Sequence, residues 1–333
     1  MASVSDIFTL PVAQVWPWMF DWVWSVFSAP FGTGTVSSVL GERERQITPL
    51  DNLLAGSAWD LWDSFETCAP RTSQALADFW ARRPCGKAIL ILDALSLREV
   101  PWLLEQAQVR GFHIHAARAT ASELPADTTS FAKALGFAQR SALANHGGKS
   151  AQFSNVLTET SGLPFTDCKI LIPPHPDLIF WHHWPDDRIH KLAEDGGGFR
   201  TLAKESEQHL SADDFWAFVA VLATGRRLVI TADHGYANVG LFPDVTDKDQ
   251  TLALKEVFKS GRSAPADDAT AAALGHWVPP LTCRLTTQHG DWHLVLGRKK
   301  WKSQGGYPTL AHSGLSLLEV AVPWIEISQP SML

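Results

Sequence analysis

A β-favouring run, Leu228-Val229-Ile230-Thr231, leads through Ala232 into Asp233-His234-Gly235. A carboxylate and an imidazole at the carboxyl end of a buried strand stand where open α/β sheets gather their reactive groups. A second apolar run, 87–92, ends on Asp93. Asp-His-Gly by itself often does no more than close a turn, so the other candidates decide its meaning. In Pro-Asp-Asp-Arg-Ile-His, 185–190, a helix opening at Pro185 puts Asp186 and His190 on one face, four residues apart, where they can share a divalent ion. Asp187, three before His190, competes for that role, and a capped helix with a surface ion pair is the ordinary use of such a pattern. Thr128 and Thr129 follow Pro125 and Asp127 at a helix start. Hydroxyls there are usually caps. The same place offers free amides to an anion, and a hydroxyl that can attack phosphorus once a metal eases formation of its alkoxide. His312 stands just before a short helix and the last apolar run, 321–327.

Such groups need a frame to bring them together. From residue 87 onward, apolar runs at 87–93, 112–117, 168–172, 177–182, 227–232 and 321–327 alternate with helical stretches at 96–109, 128–145, 197–208 and 211–223. This rhythm predicts an α/β fold, a mainly parallel sheet with helices on both faces. Residues 1–83 read as a helical N-terminal region, with patches at 49–65 and 72–82 and a Gly/Thr/Ser-rich stretch at 32–38. Residues 84–333 form the candidate catalytic domain. Within it, 240–308 breaks the rhythm and reads as a β-containing insertion over the carboxyl end of the sheet, with a hairpin at 282–298 turning at His289-Gly290-Asp291.

Composition narrows the partners. A formal charge of −7 argues against a protein that coats nucleic acid by bulk electrostatics. The basic stretch Arg298-Lys299-Lys300-Trp301-Lys302 can grip a phosphate backbone or simply protect a solvated hairpin edge. Fifteen Trp, many of them before residue 85, read as packing and as a surface for a protein partner. Cys68, Cys85, Cys168 and Cys283 lie far apart, without a zinc or redox spacing, as fits a reducing cytoplasm. The apolar stretch 10–29 carries Asp21 and is punctuated by Pro11, Pro17 and, at its end, Pro30, so neither a signal peptide nor a membrane span is expected. Gly147-Gly148-Lys149-Ser150 lacks the first glycine and the preceding strand of a phosphate loop.

Taken in order, Asp93, Thr128, Asp186-x-x-x-His190, Asp233-His234 and His312 resemble the motifs of the alkaline phosphatase superfamily. Asp93-Ala-Leu-Ser-Leu-Arg-Glu99, Pro125-x-x-Thr128 and His312-Ser-Gly-Leu-Ser-Leu-Leu-Glu-Val-Ala-Val-Pro323 look most like its PglZ domain, over about residues 85–328. The resemblance implies one metal on Asp93, Thr128, Asp233 and His234, and a second on Asp186, His190 and His312. It also implies Thr128 as the nucleophile, chosen over Thr129 by its distance from Pro125. Oxygen and nitrogen ligands suit Zn²⁺, with Mn²⁺ as the alternative. The activity implied is that of a metal-dependent phosphodiesterase or phosphatase, on nucleotide or oligonucleotide phosphodiesters and in a phage-defence setting. A sulfatase does not fit, because no Cys lies near 125–130. Two rivals stand beside this reading: a non-catalytic, partner-binding subunit with the same fold, and a phosphotransferase or mutase.

Overall fold

Gly86–Leu92 (β1) is apolar from Ala88 onward and entirely buried there, as a strand covered on both faces must be. It lies inside a six-stranded sheet with His113–Ala121 (β2), Leu157–Ser161 (β3), Asp177–His182 (β4) and Arg226–Thr231 (β5). Ser263–Pro265 (β6), Thr282–Thr287 (β7) and Gly290–Val295 (β8) form a separate antiparallel sheet, and Ala321–Ser328 (β9) returns to the main one. The main order is β2-β9-β5-β1-β4-β3. β1 pairs with β4 and β5 in parallel and β4 with β3 in parallel, while β9 runs antiparallel to β5 and β2. This is a computed structural model, and it describes residues 4–82, 86–195, 198–303, 306 and 309–329.

Alternate residues of each strand face opposite sides. Leu90, Phe180 and Ile230 pack on the helices Val100–Val109 and Asp213–Ala223. Ile89, Ile91, Trp181 and Val229 pack on Thr72–Ala81 and Thr128–Ala134. The fold is therefore a mixed α/β sheet, mainly parallel and covered by helices on both faces. Because β1, β4 and β5 are parallel, the residues just beyond them, Asp93, His183 to Asp186 and Asp233, emerge at one edge.

Three sequence expectations need correction. Residues 168–172 are not a strand but the end of a short helix, Phe165–Cys168, and a 3-10 turn, Lys169–Leu171. The chain then runs into Pro173-Pro174, and Arg226 binds the carbonyls of Pro173 and His175. The strand beside β4 is instead Leu157-Thr158-Glu159-Thr160-Ser161. Its polar side chains bond the neighbouring loop, as when Thr158 accepts from the Gly148 amide and donates to the Leu143 carbonyl. The helix expected over 128–145 stops at Ala134, and a 3-10 segment, Arg140–His146, follows after a break. Finally, the 298–302 stretch is neither a phosphate grip nor a solvated edge. Arg298 is buried and ion-paired with Glu44 and Asp51, Trp301 is buried, and Lys299 donates to the Pro280 carbonyl.

The N-terminal helices Val12–Phe27 and Val36–Gly56 share one apolar cluster with the second sheet, through Leu285, Leu294 and Leu296. Trp16 and Trp62 fill that cluster, whereas Trp18 and Trp22 are half-buried and touch one another. One face of the insertion's hairpin thus packs beside the N-terminal helices, while Leu254, Phe258, Leu274 and Trp301 form a separate cluster within the insertion. Cys85 lies outside the described residues. No helix among the described residues is long and apolar enough to cross a membrane.

A buried polar network crosses this junction. Glu44 pairs with Arg98 and Arg298, and Arg98 donates to the Tyr236 carbonyl. Glu99 accepts from the Tyr236 hydroxyl at 2.8 Å and from the Ser96 amide at 2.9 Å. Burial pushes the Glu99 carboxyl up to about 7, although Tyr236 and Arg98 oppose the shift. A carboxyl whose folded value lies above its unfolded one contributes stability fully present below about 4.5 and lost as pH rises through about 7. The loss amounts to about 3 kcal/mol. Glu99→Gln is expected to flatten the fall in denaturation midpoint across that window. An unchanged slope would assign the fall to other groups.

Candidate active site

Asp93, Asp233 and His234 are fully buried at the ends of β1 and β5. Gly235 lets the turn after β5 lie directly on the final-strand approach, since a Cβ there would meet the Leu318 carbonyl at 2.2 Å. His234 Nε2 lies 3.6 Å from Asp93 Oδ1 and 3.4 Å from Asp233 Oδ2. Ala94, directly after Asp93, is held at φ 62°, and its amide donates to Asp233 Oδ1 at 2.9 Å. Ser313, directly after His312, is also held at positive φ, 77°. Non-glycine residues in this region carry strain that the surrounding structure must sustain.

Thr128 enters from the first position of its helix, and it is not the cap. Asp127 is, accepting from the Ser130 amide at 2.7 Å. The Thr128 hydroxyl is left to donate to Asp233 Oδ2 at 2.9 Å, with Asp93 Oδ1 at 3.3 Å. Thr129 is exposed. The helix Asp186–Asp195 follows Trp184-Pro185, and the Asp186 amide donates to the Asp93 carbonyl at 3.0 Å. Asp186 Oδ2 is 3.4 Å from His190 Nε2, and its Oδ1 is 3.9 Å from His312 Nε2. Asp187 turns elsewhere, toward His183 Nδ1 at 3.6 Å, with a side chain 55% exposed. The rings of His234 and His312 stack with centroids 4.3 Å apart.

Two overlapping donor sets result. Asp186, His190 and His312 each offer an atom within 4.8 Å of the others, as do Asp93, Asp186 and His234. Asp186 belongs to both. The structure thus brings all seven sequence-derived candidates into one place. It also adds two groups the sequence reading missed. Arg140 Nη1 pairs with Asp93 Oδ2, and the Trp181 indole donates to the same oxygen at 3.1 Å. Neither carried a sequence signal: Arg140 reaches the site only because the helix breaks, and Trp181 reads as an ordinary core residue of β4.

The electrostatics are those of a site crowded with acid. Burial, with Asp233 and Asp186 close by, drives the Asp93 carboxyl well above its ordinary range, and His234 and Arg140 only partly oppose this. Burial also lifts Asp233 to about 6. For Asp186, burial acts upward too, but the hydrogen bond from His190 and the nearby His234 and His312 outweigh it and hold the carboxyl low. The same bond raises His190, while burial beside His234 pushes His312 down to about 3. Burial would lower Arg140, yet Asp93 outweighs it and raises the guanidinium.

No protein-family model matches the chain, and a comparison with curated proteins finds no match. Among solved structures, it is similar to murine ectonucleotide pyrophosphatase/phosphodiesterase 5 in an inactive form in complex with AMP. The TM-score is 0.47 at 11% identity, covering 74% of this chain and 88% of that one. The same murine protein in a second structure gives a TM-score of 0.43 at 11% identity. The human ectonucleotide pyrophosphatase/phosphodiesterase 5 gives 0.43 at 10%, with the same shares of each chain covered.

Proposed function

We propose that this chain is a metal-dependent phosphoric ester hydrolase, with Thr128 as nucleophile and two divalent ions, Zn²⁺ or else Mn²⁺, as cofactors. The observation that supports it most is the Thr128 hydroxyl. It donates to a buried carboxylate within a cluster of seven oxygen and nitrogen donors. The donor set fits divalent ions on a second count. His234 Nε2 and Asp186 Oδ1 are both buried with no hydrogen-bond partner among the described residues. Three carboxylates face one another there, and among the described residues Arg140 is their one arginine partner, a charge balance that bound cations would complete.

In this reading Asp93, Thr128, Asp233 and His234 hold one ion, and Asp186, His190 and His312 hold the other. The bound ions would supply Lewis acidity, lowering the cost of a threonine alkoxide and of charge on the phosphoryl oxygens. Asp233 Oδ2 already accepts the Thr128 proton in a hydrogen bond, so the hydroxyl is oriented for attack before substrate arrives. The new Thr128 Oγ1–P bond forms as the bond to the departing alcohol breaks. Water then cleaves the Thr128–phosphorus ester, which for a diester substrate still carries the second alcohol, releasing the monoester and restoring the hydroxyl. The substrate class proposed is a nucleotide or oligonucleotide phosphodiester and the setting a phage defence, both through the resemblance of 85–328 to the PglZ domain, and the scattered cysteines support a cytoplasmic location.

The test is metal analysis after reconstitution. About two divalent ions per chain are expected, together with chelator-sensitive hydrolysis of a chromogenic phosphodiester. Under half an equivalent of Zn or Mn would sink the two-metal reading in favour of a partner-binding subunit. Metal binding with transfer to an added alcohol, and none to water, would instead favour the phosphotransferase.

A further inference from the structure

We propose that Glu319 is a positioning residue for both His234 and His312, and that Arg262 from the insertion holds it in place. This rests on the reading of those two histidines as metal ligands. Glu319 is fully buried, in the motif that precedes β9, and no step of the chemistry above uses it. Its main-chain carbonyl accepts from the Gly235 amide at 2.9 Å, one residue after His234. Its side chain reaches the other loop: Oε1 accepts from the Gly314 amide at 2.8 Å, and Oε2 from the Ser316 hydroxyl at 2.6 Å. One residue therefore grips the chain just beyond each histidine.

The fit leaves little room for another arrangement. A Cβ on Gly314 would come within 2.9 Å of Glu319 Oε1 and 2.5 Å of Arg262 Nε. Arg262 Nε donates to Glu319 Oε1 at 2.8 Å, and its other nitrogens donate to the carbonyls of Lys299 at 3.1 Å and Gly297 at 2.6 Å. The guanidinium thus ties the loop that carries His312 to the backbone of the insertion. Partners that orient metal ligands from outside the coordination sphere are worth about 10- to 100-fold in metal affinity when lost. The remaining side-chain bonds of Glu319 fall on the loop that carries His312, while its main-chain carbonyl holds the turn after His234. The insertion then acts on the site by bracing it.

The experiment compares wild type with Glu319→Ala, Glu319→Gln and Arg262→Gln. Zn²⁺ affinity is read by competition with a chromophoric chelator, the Co²⁺ visible spectrum reports ligand geometry, and circular dichroism reports folding. Folded Glu319→Ala is expected to bind about 10- to 100-fold more weakly with an altered Co²⁺ spectrum. Glu319→Gln should recover most of the affinity and the spectrum, because its carbonyl oxygen can still accept from Gly314 and Arg262. Arg262→Gln should fall between the two. Wild-type affinity and spectrum in folded Glu319→Ala would overturn the proposal. If that variant does not fold, Ser316→Ala and Arg262→Gln decide: weaker binding by either supports the brace, and wild-type binding by both overturns it. A wild-type chain that binds no ion sinks the metal-centre reading and this inference with it. Normal wild-type binding beside unaffected variants sinks this inference alone.

Discussion

Thr128→Ala is expected to leave a folded protein whose phosphodiester turnover falls by roughly three to six orders of magnitude, the range seen when a nucleophile is removed. The structure separates this outcome from a stability defect. Loss of a helix cap costs about 1 kcal/mol, and the cap of this helix is Asp127, not Thr128. Removing the Thr128 hydroxyl deletes contacts to Asp233 and Asp93, within the candidate site. Initial rates under saturating metal, with melting curves in parallel, make the measurement. Thr129→Ala, at an exposed position, should retain near-wild-type rates. The reverse pattern would move the nucleophile by one residue. Full activity in both variants would end the covalent mechanism.

Asp186→Ala should be nearly as damaging, for a different reason. Asp186 is the residue common to both donor sets, so its loss weakens the set with His190 and His312 and also opens the one with Asp93 and His234. Activity is expected to drop by several orders of magnitude, and metal content by about one ion per chain. Asp187→Ala should keep both, because that carboxylate faces His183 and solvent. Metal analysis of the two purified variants checks this directly. Metal loss in Asp187→Ala alone would shift the ligand by one residue and leave the fold untouched.

Much of this arrangement is legible in the sequence because parallel strands advertise themselves. β1 and β5 carry the apolar runs 88–92 and 228–230, which lead to Asp93 and to Asp233-His234, and the helix at 186 displays its four-residue spacing openly. The groups that escaped notice work across long chain separations. Arg140 meets Asp93 across 47 residues, and the Trp181 indole reaches it across 88. No local period records either contact. β3 escaped for another reason: as an edge strand it carries Thr158 and Glu159, which accept from the Gly148 and Asn145 amides, and Thr160, which bonds His183, so its polarity hides its conformation. The segment at 168–172 misled in the opposite sense, because β-favouring composition could not overcome the Pro-Pro pair that follows. The tryptophans before residue 85 divide. Trp16 and Trp62 belong to the core, so composition alone overstated the surface available to a partner.

The place of β9 has a consequence for how the molecule comes into being. The last strand of the main sheet lies between β2 and β5, so its interior gap closes only after residue 328 has left the ribosome. Until then β5 and β2 each present an unpaired edge of backbone donors and acceptors, the kind of surface on which chains aggregate. The N-terminal helices are bound by the same timing, since Glu44 waits for Arg298, 254 residues later in the chain. Contacts this distant in sequence make assembly slow. During synthesis the nascent chain therefore passes through a long interval with exposed strands, the state that chaperones recognise.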